Sequence, residues 1–475
     1  MSAYHRVWIK GILTSRSALH VGSGEEKFTS LVTKKLADSD KEVEGHYSAV
    51  CLGLDDKPYL PASSLRGCLA EMARRLKIPT EFLFGLKIAD SEKYKTGCLR
   101  VYDAALRAFP ECTKEWSKPK NKLPHDTLLR TSVGINPLLG VADEHRLFNV
   151  EIVPAGAVFE VEFLLEDCED LHLNQMLQLL NAWDGSAMST LGGGSGVGRG
   201  RVVWALEKCS VLDNAGLNKW LASEDESLEQ YDEKYYRLIK EFSDVPKNEE
   251  VALNSVQFIL KPQGSFLLHD PAYTQKKVKK DASENSEFPD LTFSRTRTGQ
   301  ALIPATALRG WLRGRVRKIL LTLQQQDVDE KIEKLFGSEQ KRGILRFDDA
   351  VSTGIADGVA EPFLQSFNAV DRFTGGVAKS ALYSVEAARC EELQGCISLM
   401  GKLPEWAKAV LLLVARDMLE GELSLGWGKS RGYGSFGVVL KIKNESINDV
   451  AALRARYPKT ETEGWFTCLN RNLHN

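Results

Sequence analysis

This chain is written twice, and whatever fold it adopts it must adopt in duplicate. PYLPASSLRGCL (Pro58–Leu69) recurs as ALIPATALRGWL (Ala301–Leu312), and FLFG (Phe82–Gly85) as KLFG (Lys334–Gly337). GCLRVYDA (Gly97–Ala104) recurs as GILRFDDA (Gly343–Ala350), and LGGGSGVGRGRV (Leu191–Val202) as LGWGKSRGYGSFGVV (Leu425–Val439). The four pairs keep their order at offsets of roughly 235 to 250 residues, which identifies a tandem duplication. The chain divides into a first unit, residues 1–206, an acidic connector, 207–254, a second unit, 255–443, and a tail, 444–475. The connector carries a helical pattern, SLEQYDEKYYRLIKEF (Ser227–Phe242), and ESINDVAALRARY in the tail reads as a further helix.

Each unit follows one grammar. A β-branched strand (VWIKGIL; VQFILKP) leads to a loop and then to a helix opened by Pro and Ser or Thr. Leu65, Leu69, Met72 and Leu76 form the apolar stripe of the first helix. Leu308, Leu312, Val316 and Ile319 form that of the second, leaving Arg309, Arg313 and Arg317 on another face. A strand, a long excursion, an alternating strand (AVFEVEFLL), a second helix, the glycine loop and a final strand follow. This βαββαβ order predicts an α+β fold: two tandem ferredoxin-like, RRM-like domains, each with a hairpin insertion and a glycine-rich loop.

Composition narrows the class. Apolar residues make up 43% and charged residues 27%, enough for a globular core. No apolar run approaches a membrane span, and MSAYHRVWIKGIL lacks the apolar segment of a signal peptide. Nine cysteines without a CxxC pair point to reduced thiols and a cytoplasmic protein. A net charge of −2 argues against a non-specific cationic coat, so the placement of basic residues carries the information. They cluster at Lys276, Lys277, Lys279 and Lys280 and from Arg309 to Lys318.

The fragment GKS (Gly428–Ser430) suggests a Walker loop, but the required earlier glycine is Leu423. A dinucleotide GxGxxG also fails, its third glycine falling at Arg201 or Arg431, and a strand rather than a helix follows each loop. Gly194, Gly196, Gly198, Gly428 and Gly432 instead let backbone N–H groups approach a polyanion, with Arg199, Arg201, Lys429 and Arg431 adding charge. The plainer alternative is a tight helix-to-strand connection with surface basics.

These motifs, with LHVGSG (Leu19–Gly24) and NAVDRFTGGVAKSALYSVEAA (Asn368–Ala388), resemble the RAMP superfamily of CRISPR proteins. They look most like the crRNA-binding backbone subunits of type III effector complexes, here two domains fused as in type III-D-like systems. The resemblance implies that the chain grips crRNA, pairs it with target RNA, and works beside other subunits of such a complex, with no membrane. It assigns RNA contacts to Ser63, Ser64 and Arg66, and to Thr306, Arg309 and Arg313; the hydroxyls equally suit helix capping. It reads Arg130–Gly156 and Asn368–Ala388 as thumb hairpins, with Leu138, Leu139, Phe373 and Val377 as wedges and Arg372 as an RNA contact.

In target-cleaving relatives an aspartate precedes the P-x-S-S-L helix by about a dozen residues, and Asp290 falls there. A carboxylate can act as base toward the 2′-OH or hold Mg²⁺ or another divalent cation. Arg295, Arg297 and the lysine run are candidates to stabilise developing charge, and Asp290 can also be an ordinary solvated loop residue. The first unit presents His46 at the equivalent place, with Asp38 and Asp40 upstream; His20 and His269 are secondary candidates. The expected activity is metal-dependent endoribonucleolytic cleavage of target RNA at the second unit. The alternatives are a purely structural crRNA-binding subunit and a crRNA-maturation endonuclease.

Overall fold

The computed structural model describes residues 4–35, 42–79, 81–87, 94–111, 121–135, 142–187, 189–223, 233–239, 255–270, 289–338, 340–354, 358–377, 382–443 and 445–470. In the first unit the elements are β1 (Tyr4–Ser15), β2 (Gly22–Lys35), β3 (Glu42–Val50), α1 (Ala62–Leu76), β4 (Leu99–Val101) and β5 (Ala104–Ala108). Then come β6 (Leu128–Ile135), β7 (Ala142–Ile152), β8 (Val158–Cys168), α2 (Asp170–Asn181) and β9 (Val202–Asp213). The main sheet runs β9–β1–β8–β5, all antiparallel, with β4 also against β8. The first and third strands of the βαββαβ order are thus central, which is the ferredoxin-like arrangement. Alternation places Val7, Ile9 and Leu13 of β1 and Phe159, Val161 and Phe163 of β8 inside. They share one core with Leu65, Leu69 and Met72 of α1 and Leu173, Met176 and Leu180 of α2.

The second unit repeats the plan after a short helix, α3 (Asn214–Leu221). Its elements are β10 (Ser255–Pro262), β11 (Leu291–Thr292), α4 (Ala305–Thr322), α5 (Val328–Phe336), β12 (Leu345–Phe347) and β13 (Ala350–Thr353). They continue with β14 (Glu361–Phe367), β15 (Tyr383–Arg389), β16 (Glu392–Leu399), α6 (Glu405–Leu419) and β17 (Phe436–Ile442). The sheet order β13–β16–β10–β17, with β12 beside β16, matches the first strand for strand. Small second sheets hold the hairpins: β2–β3–β7–β6 in the first unit and β11–β15–β14 in the second.

Some sequence expectations need correction. The helical stripes are broader than expected: Ala73 and Leu320 are also buried, while Leu76 and Ile319 pack partly buried against the same cores. The described part of the expected Ser227–Phe242 helix is not helical. Glu233–Tyr235 is a 3₁₀ turn, and Arg237–Leu238 pair with Val211 and Ser210 at the edge of the first sheet, so edge pairing overrides the helical pattern there. The strand beginning at Val202 runs on to Asp213. In the tail, β18 (Glu445–Ile447) precedes α7 (Val450–Arg456), which Asp449 caps by accepting from the Ala452 amide at 2.7 Å. A further helix, α8 (Lys459–Asn470), buries Leu469 in the second core and packs Trp465 against it, so the tail is part of that unit.

Candidate nucleic-acid interface

Both glycine loops adopt one backbone course. Gly194 (φ 79°) and Gly198 (φ 75°) bracket a 3₁₀ turn at Ser195–Val197, and Gly428 (φ 75°) and Gly432 (φ 81°) bracket its twin at Lys429–Arg431. These are left-handed positions that glycine occupies without penalty. Close packing imposes the outer glycines. A Cβ on Gly192 would lie 2.2 Å from the His20 carbonyl oxygen, and one on Gly426 would lie 2.2 Å from that of Leu267. The turn itself therefore accounts for most of the glycine content, and what remains for a ligand is decided by what covers each loop.

There the copies part. The first loop is seated on the second unit: a Cβ on Gly198 would lie 2.2 Å from the Phe347 carbonyl oxygen of β12, and Val197 packs against the second core. Arg199 and Arg201, expected on an open face, are buried in this joint. Arg201 pairs with Asp348 at 2.5 Å and its Nη2 donates to Ser398 Oγ at 3.3 Å. Burial lowers the Arg199 guanidinium to about 10, reinforced by neighbouring Arg130. Arg130 of β6 reaches Asp349 at 2.7 Å, and Arg297 donates back to the carbonyls of Pro110 and Asp126. A cleft of about 430 Å³ between the units is lined by Arg16, Arg130, Arg201, Arg295 and Arg297 with Asp348 and Asp349. Burial above all, and the like charge of Asp349, push the Asp348 carboxyl up to about 7 against the pull of Arg201.

On the second loop the equivalent half, Lys429–Gly432, is exposed, and a Cβ on Gly432 would meet nothing. Arg431 lies over three rings, 5.3 Å from the centroid of Trp427, 5.6 Å from Phe367 and 5.8 Å from Tyr383, and donates to the Tyr383 hydroxyl. Tyr433 completes the cluster, edge-on to Trp427 at 5.4 Å. This group joins the loop to the turn-side end of the β14–β15 ladder, where Phe367 pairs with Tyr383.

The helix starts answer the capping question differently from expectation. Pro61 and Pro304 are the N-cap residues and neither helix has a side-chain cap of its own. Asp103 and Asp349 instead accept from the Ala62 and Ala305 amides at 2.7 and 2.8 Å, placing a carboxylate at each helix N-terminus. These are the aspartates of YDA and DDA, a signal present in the repeated motif but not read from it. Ser63 is exposed, whereas Ser64 and Thr306 are partly buried. Arg66 and Arg309 make one structural bond twice, each donating at 2.7 Å to the carbonyl before the LFG glycine, Phe84 or Phe336. Arg317 pairs with Asp329, and Arg313 is exposed.

Asp290 is half-buried beside β15. Its Oδ2 accepts from the Ser384 amide at 2.7 Å and hydroxyl at 3.2 Å, while its own amide donates to the Ser384 carbonyl at 2.8 Å. Ser384 follows Tyr383 on one strand, so their side chains leave opposite faces, one toward Asp290 and the other toward Arg431. His269 bridges Phe293, three residues beyond Asp290, and burial lowers its pKa, leaving it neutral near pH 7. Arg295 is buried against Glu386 at 3.0 Å and, like Arg297, serves packing instead of an open phosphate site. His46 is exposed on β3, its carbonyl accepting from Asn149. His20 is lowered by burial and its Nδ1 lies 2.8 Å from the Glu151 carbonyl oxygen. Both hairpins form; Phe373 and Val377 stand fully and largely exposed at the second tip, with Arg372 beside them. Leu138, Leu139, Asp38, Asp40 and Lys276–Lys280 lie outside the described residues.

Among the described residues no group of three or more His, Cys, Asp or Glu converges as a metal site. Asp290 alone still suits the way Mg²⁺ is commonly held, by one or two carboxylates with water and substrate phosphates. No helix of the described residues is long and apolar enough to cross a membrane. In comparisons with known proteins, the model of the RAMP superfamily matches residues 12–203 and 255–437, one stretch in each unit. No curated protein matches the chain.

Proposed function

The chain belongs to the RAMP superfamily, matched over both of its units, and from that membership we propose that it is a crRNA-binding backbone subunit of a type III CRISPR effector complex, fused in the manner of type III-D systems. The observation that carries the RNA contact is the exposed half of the second glycine loop. Its 3₁₀ turn, with Lys429 and Arg431, faces outward where the first loop is covered. Ser63, Arg313 and Arg372 add exposed donors along the same chain. Phosphate contacts of this kind hold a strand without reading it, and sequence is left to guide–target pairing. Purification of the native complex should yield short RNA of uniform 5′ sequence bound to it; its absence would overturn the reading.

Cleavage of paired target RNA is proposed for the second unit at Asp290. Its carboxylate is oriented by two donors from Ser384 and stands beside the hairpin that would cross the duplex. It would serve as base toward the 2′-OH or hold a divalent cation whose charge offsets that of the reacting phosphate. In the reconstituted complex Asp290→Asn should abolish one cut, by 100-fold or more (order of magnitude from general-base catalysis), with target binding and thermal stability kept. The same Ser384 bonds favour a second reading, in which Asp290 only pins the turn-side end of the hairpin ladder to β11 and the subunit binds without cutting. Unchanged cutting in Asp290→Asn, with lowered stability in Asp290→Ala, would establish it. Specific cleavage of repeat RNA by the isolated chain would instead make it a crRNA-maturation enzyme.

A further inference from the structure

The aromatic cluster under Arg431 is absent from the first copy, where Gly193, Val197 and Arg199 stand for Trp427, Arg431 and Tyr433. The first loop makes the same turn without it, so the turn does not require these rings. Trp427 stands nearly perpendicular to Tyr383, at 87°, and to Phe367, at 70°, while Phe367 and Tyr383 stack on each other. The rings rest partly buried against the second core, and the resulting corner is roofed by a planar guanidinium on an exposed side chain. Lys429 projects from the same turn, two residues away.

We infer that this corner, formed by Trp427, Tyr383, Phe367 and Arg431, is a stacking site for one unpaired nucleobase of single-stranded RNA. The inference rests on the RNA-binding reading and adds a base contact to it. The ligand is a neutral planar ring, because the cation that such rings attract is already supplied by Arg431. A guanidinium stacks on a base as readily as on an aromatic side chain, so Arg431 can cover the base as it now covers the rings. Lys429 and the loop amides then meet the adjoining phosphate. Stacking of this kind tolerates any base, which suits a subunit that does not read sequence.

The test uses the full chain and two probes of equal length, an oligouridylate and the same ribose-phosphate chain lacking its bases. The unchanged protein should hold the oligouridylate roughly tenfold more tightly than the abasic strand. Trp427→Leu should lose that difference by weakening only the oligouridylate, and Trp427→Phe should restore most of it. Should Trp427→Leu fail to fold, tryptophan emission serves in its place: oligouridylate should quench it in the unchanged protein and measurably less in Trp427→Phe. Equal binding of both probes by the unchanged protein, or quenching identical in Trp427→Phe, overturns the stacking site while leaving RNA binding intact. Failure to bind either probe overturns the RNA-binding reading and the stacking site with it.

Discussion

Asp348 concentrates the physics of the joint in one side chain. Burial holds its carboxyl at about 7, above its unfolded value of 3.8. Between those values the folded protein carries more protons than the unfolded chain, so stability falls as pH rises from about 4 to 7. Asp348→Asn should flatten this part of the curve, measured as melting temperature against pH. Arg201→Ala should cost about 3–5 kcal/mol, as expected when a buried ion loses its partner, but less where Asp348 can take up a proton. The double variant should therefore be less destabilised than the sum of the singles. None of this is visible in GRGRV or FDDA as strings. A basic residue after a glycine loop looks alike whether it meets phosphate or a carboxylate from the other half of the chain.

At the scale of the element, the two loops share a shape and differ in surroundings. Gly198→Ala forces a Cβ into the Phe347 carbonyl and should destabilise by several kcal/mol, well beyond the ~1 kcal/mol of left-handed strain alone. Gly432→Ala, with open space around it, should cost only about that strain, and denaturant melts of the two variants give the comparison directly. Lys429→Ala should reduce the salt slope of RNA binding by about one phosphate contact, whereas Arg199→Ala should act on stability and leave the slope alone. The elements themselves were legible in the sequence because repetition supplied each strand and helix twice, and apolar period fixed which face turned inward. The connector pattern misled because edge pairing with Ser210 and Val211 outweighs local helical preference. Ser63 and Thr306 looked like caps, but the helix amides are met from far along the chain by Asp103 and Asp349, a contact no local spacing encodes.

At the scale of the molecule, two ferredoxin-like units are held together by more than their connector. Arg201–Asp348, Arg130–Asp349 and the bonds from Arg297 to Pro110 and Asp126 cross the joint in both directions. A protease site engineered into the connector should leave the two fragments co-eluting after cleavage, and separation on a sizing column would show that the joint is weaker than its contacts indicate. The relation it enforces is one of succession: the glycine loop of the first unit enters a strand region of the second, while the matching half of the second glycine loop stays exposed. Because both halves are translated as one polypeptide, their ratio is fixed at one to one by the ribosome and does not depend on expression level. Dilution has no hold on an intramolecular contact, whose partners face each other at an effective concentration in the millimolar range. The duplicated chain thus carries a pre-assembled step that two separate subunits would have to find by collision.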